Sequence, residues 1–317
     1  MKIKDIYNLA VEKGIEEDPR GREKVESILA RTKKRFGKLR EEDQEYYDQE
    51  RFSNPYSDTR ILAGDPEKQV KHVLAGIDME IGEVLLADRL REKGEDIDLI
   101  IAHHPEGKAL AALHDVMHLQ EDVLAHFGVP INVAEDIMSS RINEVKRGLM
   151  PANHNRAVDA ARLLDFPFMC VHTPADNHVT SHLQDMFDEK EPETLEDVVN
   201  LLLELPEYQE AAKINAGPFI VVGNKERSAG KIFVDMTGGT GGSKDAYEKL
   251  SQAGVGTLVV MHIGEAHRKE AKKHHINVIN AGHMASDSLG MNLFLDRLEK
   301  RGVGVKACSG LIRYSRA

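Results

Sequence analysis

The chain has 317 residues, enough for two domains of roughly 150 residues and a large buried core. Hydrophobic residues make up 41% and charged residues 30%, a globular balance that excludes a disordered or fibrous chain. Lys plus Arg is 42 against 53 for Asp plus Glu, a formal charge of -11 that argues against nucleic-acid binding through an overall basic face. Two cysteines, Cys170 and Cys308, cannot build a disulfide framework or a four-cysteine zinc site. They point to a reducing compartment, and the cytoplasm is expected. No stretch approaches the ~20 apolar residues of a membrane helix, and MKIKDIYNLAVEKG carries charges where a signal peptide has its apolar core.

Residues 1–60 hold 14 Lys/Arg and 14 Asp/Glu, so the whole negative charge belongs to residues 61–317. Helices are expected at 3–13 and 20–36, the second with Val25, Ile28, Leu29 and Phe36 on one face. The basic run RTKKRF at 31–36, with Lys38 and Arg40, is followed by Glu41, Glu42 and Asp43 and reads as a solvated helix rather than a nucleic-acid patch. Asn54-Pro55 and Ser57-Asp58 read as a linker. This segment is expected to be a charged helical N-terminal extension.

From residue 69 short apolar runs alternate with helical stretches. Strands are expected at 70–77, 98–102, 130–133 and 168–171, with helices at 82–93, 109–127 and 141–164. After a charged loop come a helix at 195–205, strands at 219–222 and 231–234, and a helix at 244–253. The last stretch has strands at 257–261, 277–280 and 303–307, with helices at 267–274 and 284–300. This order predicts an α/β protein with mixed sheets covered by helices. Two intertwined lobes are expected, 61–185 with a helical insertion at about 109–164, and 186–317 with a closing strand that returns to the first lobe.

Of 15 histidines, 14 lie between His103 and His283. The chemistry should sit at strand ends, where α/β sheets bind ligands. His103-His104-Pro105 follows DLIIA; adjacent side chains in extended chain point to opposite sides, so the pair suits two neighbouring ions, one each. His172-Thr-Pro-Ala-Asp176 follows FMCV, and a carboxylate there can bridge two cations with its two oxygens. His283 and Asp287, spaced i, i+4 after NVIN, share one face of a helix start. Imidazole with carboxylate suits divalent Zn, Mn, Fe or Ni.

Three further motifs surround these. MTGGTGGSK at 236–244 lacks the G-K-[ST] ending of a nucleotide P-loop but offers Gly238, Gly239, Gly241, Gly242 and Ser243 as a phosphate or carboxylate cradle, or as a packing turn. His262-Ile-Gly-Glu265-Ala-His267 supplies Glu265 and His267 as candidates for proton transfer. His114-Asp-Val-Met-His118 imitates a zinc-protease motif, with Asp122 and His126 continuing a polar helix face.

IIAHHPEG, VHTPAD, TGGTGGSK and INAGHMASD, in this order, resemble the Nif-three-like dinuclear-metal family, whose bacterial members carry the label GTP cyclohydrolase type 2 homologues. The resemblance covers roughly residues 65–307. It implies His103, His104, Asp176, His283 and Asp287 as ligands of two divalent metal ions, a hydrolase acting on a nucleotide, phosphoester or cyclic amide, and a homo-oligomer, commonly a hexamer. The alternative is a non-catalytic metal-binding regulator or adaptor. Asp287 stands where the family usually has Glu, HTPAD replaces HTNLD, and Glu106-Gly107 replaces bulky residues after HHP.

Overall fold

The computed structural model of the chain describes residues 1–317 and builds two mixed sheets covered by helices. The first half contributes α1 (Ile3–Glu16), α2 (Arg22–Phe36), α3 (Glu41–Glu45), β1 (Arg60–Ala63), β2 (His72–Gly76), α4 (Ile81–Glu92) and β3 (Leu99–Ala102). There follow α5 (Gly107–Ala111), α6 (Leu113–Val116), α7 (Leu119–His126), α8 (Ile131–Leu149), α9 (Arg156–Leu163), β4 (Phe168–Cys170) and α10 (Thr173–Lys190). The second half contributes α11 (Leu195–Leu202), α12 (Pro206–Lys213), β5 (Phe219–Val222), β6 (Lys231–Asp235) and α13 (Ala246–Gln252). It ends with β7 (Val255–Val260), α14 (Glu265–Lys273), β8 (Asn277–Asn280), α15 (His283–Glu299) and β9 (Gly304–Cys308).

The first sheet has the order β1-β4-β3-β2-β9 and the second β5-β8-β7-β6. Within each sheet one edge strand is antiparallel, β1 against β4 and β5 against β8, and all other pairings are parallel. Apolar runs without polar alternation, such as LIIA of β3 and FMC of β4, are buried throughout because helices cover both faces. β9 lies parallel to β2 with Val73 opposite Val305, so a strand that follows the second sheet in sequence completes the first. No helix is long and apolar enough to cross a membrane.

Several expectations are corrected. Residues 130–133 are no strand: Pro130 precedes the start of α8, and Ala134, Met138 and Ile142 bury one face at helical spacing. The helix expected at 109–127 is three short helices, broken at Ala112 and again at Met117 and His118. That break also dissolves the protease-like row, because His118 turns to Glu121 and Asp122 to Lys24. The eighteen-residue α10 occupies most of what reads as a charged loop, opened by Pro174 in its first turn. α12 and β1 were also without a counterpart in the sequence reading.

The charged N-terminal segment is packed into the body. Ile3, Ile6 and Ala10 of α1 are fully buried in the cluster that holds Val73, Leu99, Met169 and Phe294. Of the residues read as a linker, Asn54, Ser57 and Asp58 are buried too: Asn54 bonds to the Thr59 carbonyl, and the hydroxyl of the adjoining Tyr56 donates to Asp18. The basic run lies along a groove of mixed sign, where Arg31 and Arg35 stand with Asp115, Glu121, Asp122 and Glu135. Ile6→Ala is expected to destabilise the protein by about 2–5 kcal/mol, measured by denaturant unfolding, as for a core side chain and not a surface extension. A change below about 0.5 kcal/mol would mark α1 as peripheral.

Candidate metal centre

The centre forms where the parallel strands of the first sheet end. After β3 the chain stays extended, with the His103 amide donating to the Gly76 carbonyl and the His104 amide to Ile77. Both rings nonetheless belong to one cluster, with centroids 5.2 Å apart, His103 buried and His104 at the cleft wall. After β4 the chain turns at once into α10, so His172 and Asp176 lie one turn apart. After β8 it turns into α15, which places His283 and Asp287 one turn apart in the same way. Gly282 is required at that entry: its φ is +112°, and an added Cβ would stand 2.4 Å from the Ala216 carbonyl oxygen.

These six side chains converge. The Nε2 of His103 lies 3.4 Å from Asp176 and 3.5 Å from Asp287 Oδ1, while the Nε2 atoms of His104 and His283 each lie 3.4 Å from Asp287 Oδ2. His172 Nε2 lies 3.8 Å from the other oxygen of Asp176. Three overlapping sets, His103–His104–His172, His104–His283–Asp287 and His103–Asp176–Asp287, each bring their ligand atoms within 4.8 Å. Asp287, rather than Asp176, therefore belongs to both carboxylate-containing sets and stands between the two halves of the centre.

Hydrogen bonds behind the rings decide which nitrogens face inward. His103 Nδ1 must donate to the Val171 carbonyl, 3.1 Å away, because a carbonyl only accepts. That leaves its Nε2 lone pair directed at the carboxylates. His104 Nδ1 is held by Asp78 at 2.7 Å and His172 Nδ1 by the buried Asp58 at 2.8 Å, a carboxylate–imidazole arrangement that orients a metal-ligating ring. Asp58 also accepts from the Thr173 hydroxyl at 2.6 Å.

The centre is largely dry. His103, Asp176 and Asp287 are 0%, 4% and 1% exposed, and His103 Nε2 and both oxygens of Asp287 have no hydrogen-bond partner. Leaving one such buried group unmet costs about 1–3 kcal/mol, and more when it is charged. Burial alone would raise the Asp287 carboxyl, but His103, His104 and His283 pull it well below the usual carboxylate range. Burial and the charge of Asp287 push Asp176 up. Burial likewise lowers His103, whereas for His104 the neighbouring carboxylates of Asp287 and Asp78 outweigh burial and raise it to about 9. Orphaned nitrogen and oxygen donors around a shared carboxylate fit divalent cations with mixed N/O preference.

This cleft has a volume of about 680 Å³, and His104, His172, Asp176, His283 and Asp287 line one part of it. The glycine loop lines it too, through Gly239, Thr240, Gly241 and Gly242, with Gly238 buried beneath and Ser243 half-buried outside. His267 reaches it and bonds through Nε2 to the Gly242 carbonyl. Glu265 does not line it: the carboxylate is exposed and paired with Arg268 at 2.7 and 2.8 Å. Asp235, at the end of β6, does line it, and burial raises its carboxyl to about 6. His262 adds a ring 4.9 Å from that of His283. Sequence reasoning passed over His172, Asp235, Asp58 and Asp78. The i, i+4 spacing applied to His283 and Asp287 would have found His172, whereas Asp58 and Asp78 are brought in only by tertiary folding.

A NIF3 superfamily protein from Sphaerobacter thermophilus, whose crystal structure is known, superposes with a TM-score of 0.71 at 29% identity, over 80% of this chain and 92% of that one. The chain is NIF3-like. The fold alone is shared with reduced HcgD from Methanocaldococcus jannaschii, with a TM-score of 0.50 at 13% identity over 78% of this chain and 87% of that one. No family model and no curated protein matches the sequence. In this NIF3-like chain the buried His/Asp groups can hold a metal ion.

Proposed function

We propose that this NIF3-like chain is a metal-dependent hydrolase, with His103, His104, His172, Asp176, His283 and Asp287 holding two divalent ions, Zn, Fe, Mn or Ni. The observation that carries the reading is the unmet, buried His103 Nε2 and Asp287 carboxylate at the centre of two overlapping ligand sets. Bound divalent cations supply Lewis acidity suited to hydrolysis of a phosphoester, nucleotide or cyclic amide. Asp58 and Asp78 keep His172 and His104 oriented, and the apolar ends of β3 and β4 exclude water behind them. Asp235 holds or releases a proton near neutrality at the cleft wall beside His267, and takes the proton-transfer role in place of Glu265.

The same proposal includes a cytoplasmic location, which two free cysteines fit, and a homo-oligomer, a hexamer by the family resemblance. Light scattering after gel filtration checks the oligomer. GTP ring-opening is one member of the substrate class and not singled out by the residues that line the cleft.

The metal-loaded protein should hydrolyse some member of a panel of nucleotides, phosphoesters and cyclic amides. No turnover above a His104→Ala control, with metal bound stoichiometrically, would leave a metal-binding regulator as the reading. For the hydrolysed substrate, kcat is expected to fall as pH drops below about 6 and Asp235 becomes protonated. Asp235→Asn should lower kcat and remove that limb of the profile, while a profile unchanged in shape would exclude Asp235 as the base.

A further inference from the structure

The His/Asp centre leaves the glycine loop across the same cleft without a role. Four of its carbonyls are tied down by side chains. Gln120 Nε2, from α7, donates to Gly238 at 2.8 Å and Thr240 at 2.6 Å, Arg141 Nε, from α8, donates to Gly241 at 3.0 Å, and His267 Nε2 donates to Gly242 at 3.1 Å. In a planar trans peptide the carbonyl of one residue and the N–H of the next point in opposite directions. The amides of Gly239 and Gly241 are therefore turned away from Gln120, which does not line the cleft, whereas those of Gly242 and Ser243 are turned away from Arg141 and His267, which do. Neither the Gly239 nor the Gly241 amide has an acceptor within the chain.

The glycines serve this conformation. Gly238 and Gly239 have φ of +91° and +88°, and an added Cβ would stand 2.7 Å from Gln120 and 2.8 Å from Val116 respectively. A Cβ on Gly241 would meet nothing within 4 Å, so that residue borders open space in the cleft. Arg141 lines the cleft as well. Its Nε is engaged by Gly241 and one amino group by the exposed Glu144, at 2.8 Å, which leaves the second amino group without a partner. At the base of the loop the Thr237 hydroxyl donates to Asn177, the chain neighbour of Asp176, so loop and ligand-bearing helix are joined by a direct bond.

We propose that this loop and Arg141 bind the phosphate group of a small phosphorylated substrate whose reacting part faces the His/Asp centre. The inference rests on reading the cleft as a hydrolase active site, and it narrows the substrate to a phosphate-bearing molecule. Backbone N–H groups with one guanidinium make a set of donors without an acceptor among them, which suits a tetrahedral oxyanion with several acceptor oxygens.

The test uses the full-length, chelator-treated protein titrated with inorganic phosphate by calorimetry. Wild type should bind one phosphate per chain. Arg141→Gln should weaken binding at least tenfold. Gly241→Ala, whose methyl meets no protein atom and needs no unusual φ, should do the same while its circular dichroism and thermal midpoint stay at the wild-type values. Both variants should keep the wild-type metal content. No phosphate binding by metal-free wild type, or equal binding by both variants, overturns the cradle. Phosphate that binds only metal-loaded protein and is lost in His103→Ala overturns it too, while leaving the metal reading intact. Phosphate binding as proposed in a protein that takes up no metal separates the two in the other direction.

Discussion

Asp287→Asn is expected to strip the protein of stoichiometric metal. One oxygen of Asp287 faces His103, the other faces both His104 and His283, so the amide removes charge from both halves of the centre together. Losing a hydrogen-bond partner behind a ligand typically weakens metal affinity by roughly 10–100-fold, and losing this shared ligand should exceed that range. Metal analysis after gel filtration is the measurement, and retention of stoichiometric metal by the variant would remove Asp287 from the centre. Thermal unfolding gives a second readout. A ligand present at ~1,000 times its Kd stabilises the folded state by about 4 kcal/mol, so added metal should raise the midpoint of wild type by several degrees and leave that of Asp287→Asn in place.

Gly290→Ala is expected to damage both stability and metal binding with a single methyl group. Gly290 lies on α15, two turns beyond His283, where that helix crosses α10. A Cβ there would stand 2.3 Å from the Ala175 carbonyl oxygen, and the obstacle is backbone, which cannot swing aside as a side chain does. The helices must separate, and they carry Asp176 on one side and His283 and Asp287 on the other. Overpacking of this kind costs about 1–3 kcal/mol and occasionally more. Chemical denaturation should show at least that loss, with metal affinity falling at least tenfold in parallel. A variant with wild-type stability would mean the crossing has slack, and one that is destabilised but binds metal normally would mean the centre tolerates the displacement.

Much of this site was legible because its ligands sit beside strong local signals. DLIIA, FMCV and NVIN are apolar runs too short for helices and are bounded by polar residues, so the ends of three strands, and the residues just past them, followed from composition. The helix that carries Asp176 was harder to see. Its sequence has Val179 and Thr180 among polar residues and buries a broad face against both α1 and α15, so no clean amphipathic stripe marks it. The place of α1 was hidden for a related reason: its charged residues face solvent and drew attention to the net charge, while Ile3, Ile6 and Ala10 do the packing. Asp58 and Asp78 have no local signal at all. Asp58 reaches His172 across 114 positions of sequence, a distance that only the pairing of β1 with β4 closes. Glu265 was chosen for its place near a strand end, but a helix start offers it Arg268 one turn on, and that nearer partner wins.

The position of β9 has a bearing on when this protein can be loaded. β2 stands between β3 and β9, and β9 is made only after every strand of the second sheet. A growing chain therefore carries a first sheet one strand short, with the flank of β2 open, through the whole synthesis of the second sheet. His103, His104, His172 and Asp176 emerge early, but Asp287, which joins His103, His104 and Asp176 in the centre, lies more than a hundred residues further on. During translation the early ligands form only a histidine-rich half-site with a single carboxylate. Cation capture by the nascent chain would thus be weak and exchangeable, and tight loading becomes an event of the finished fold.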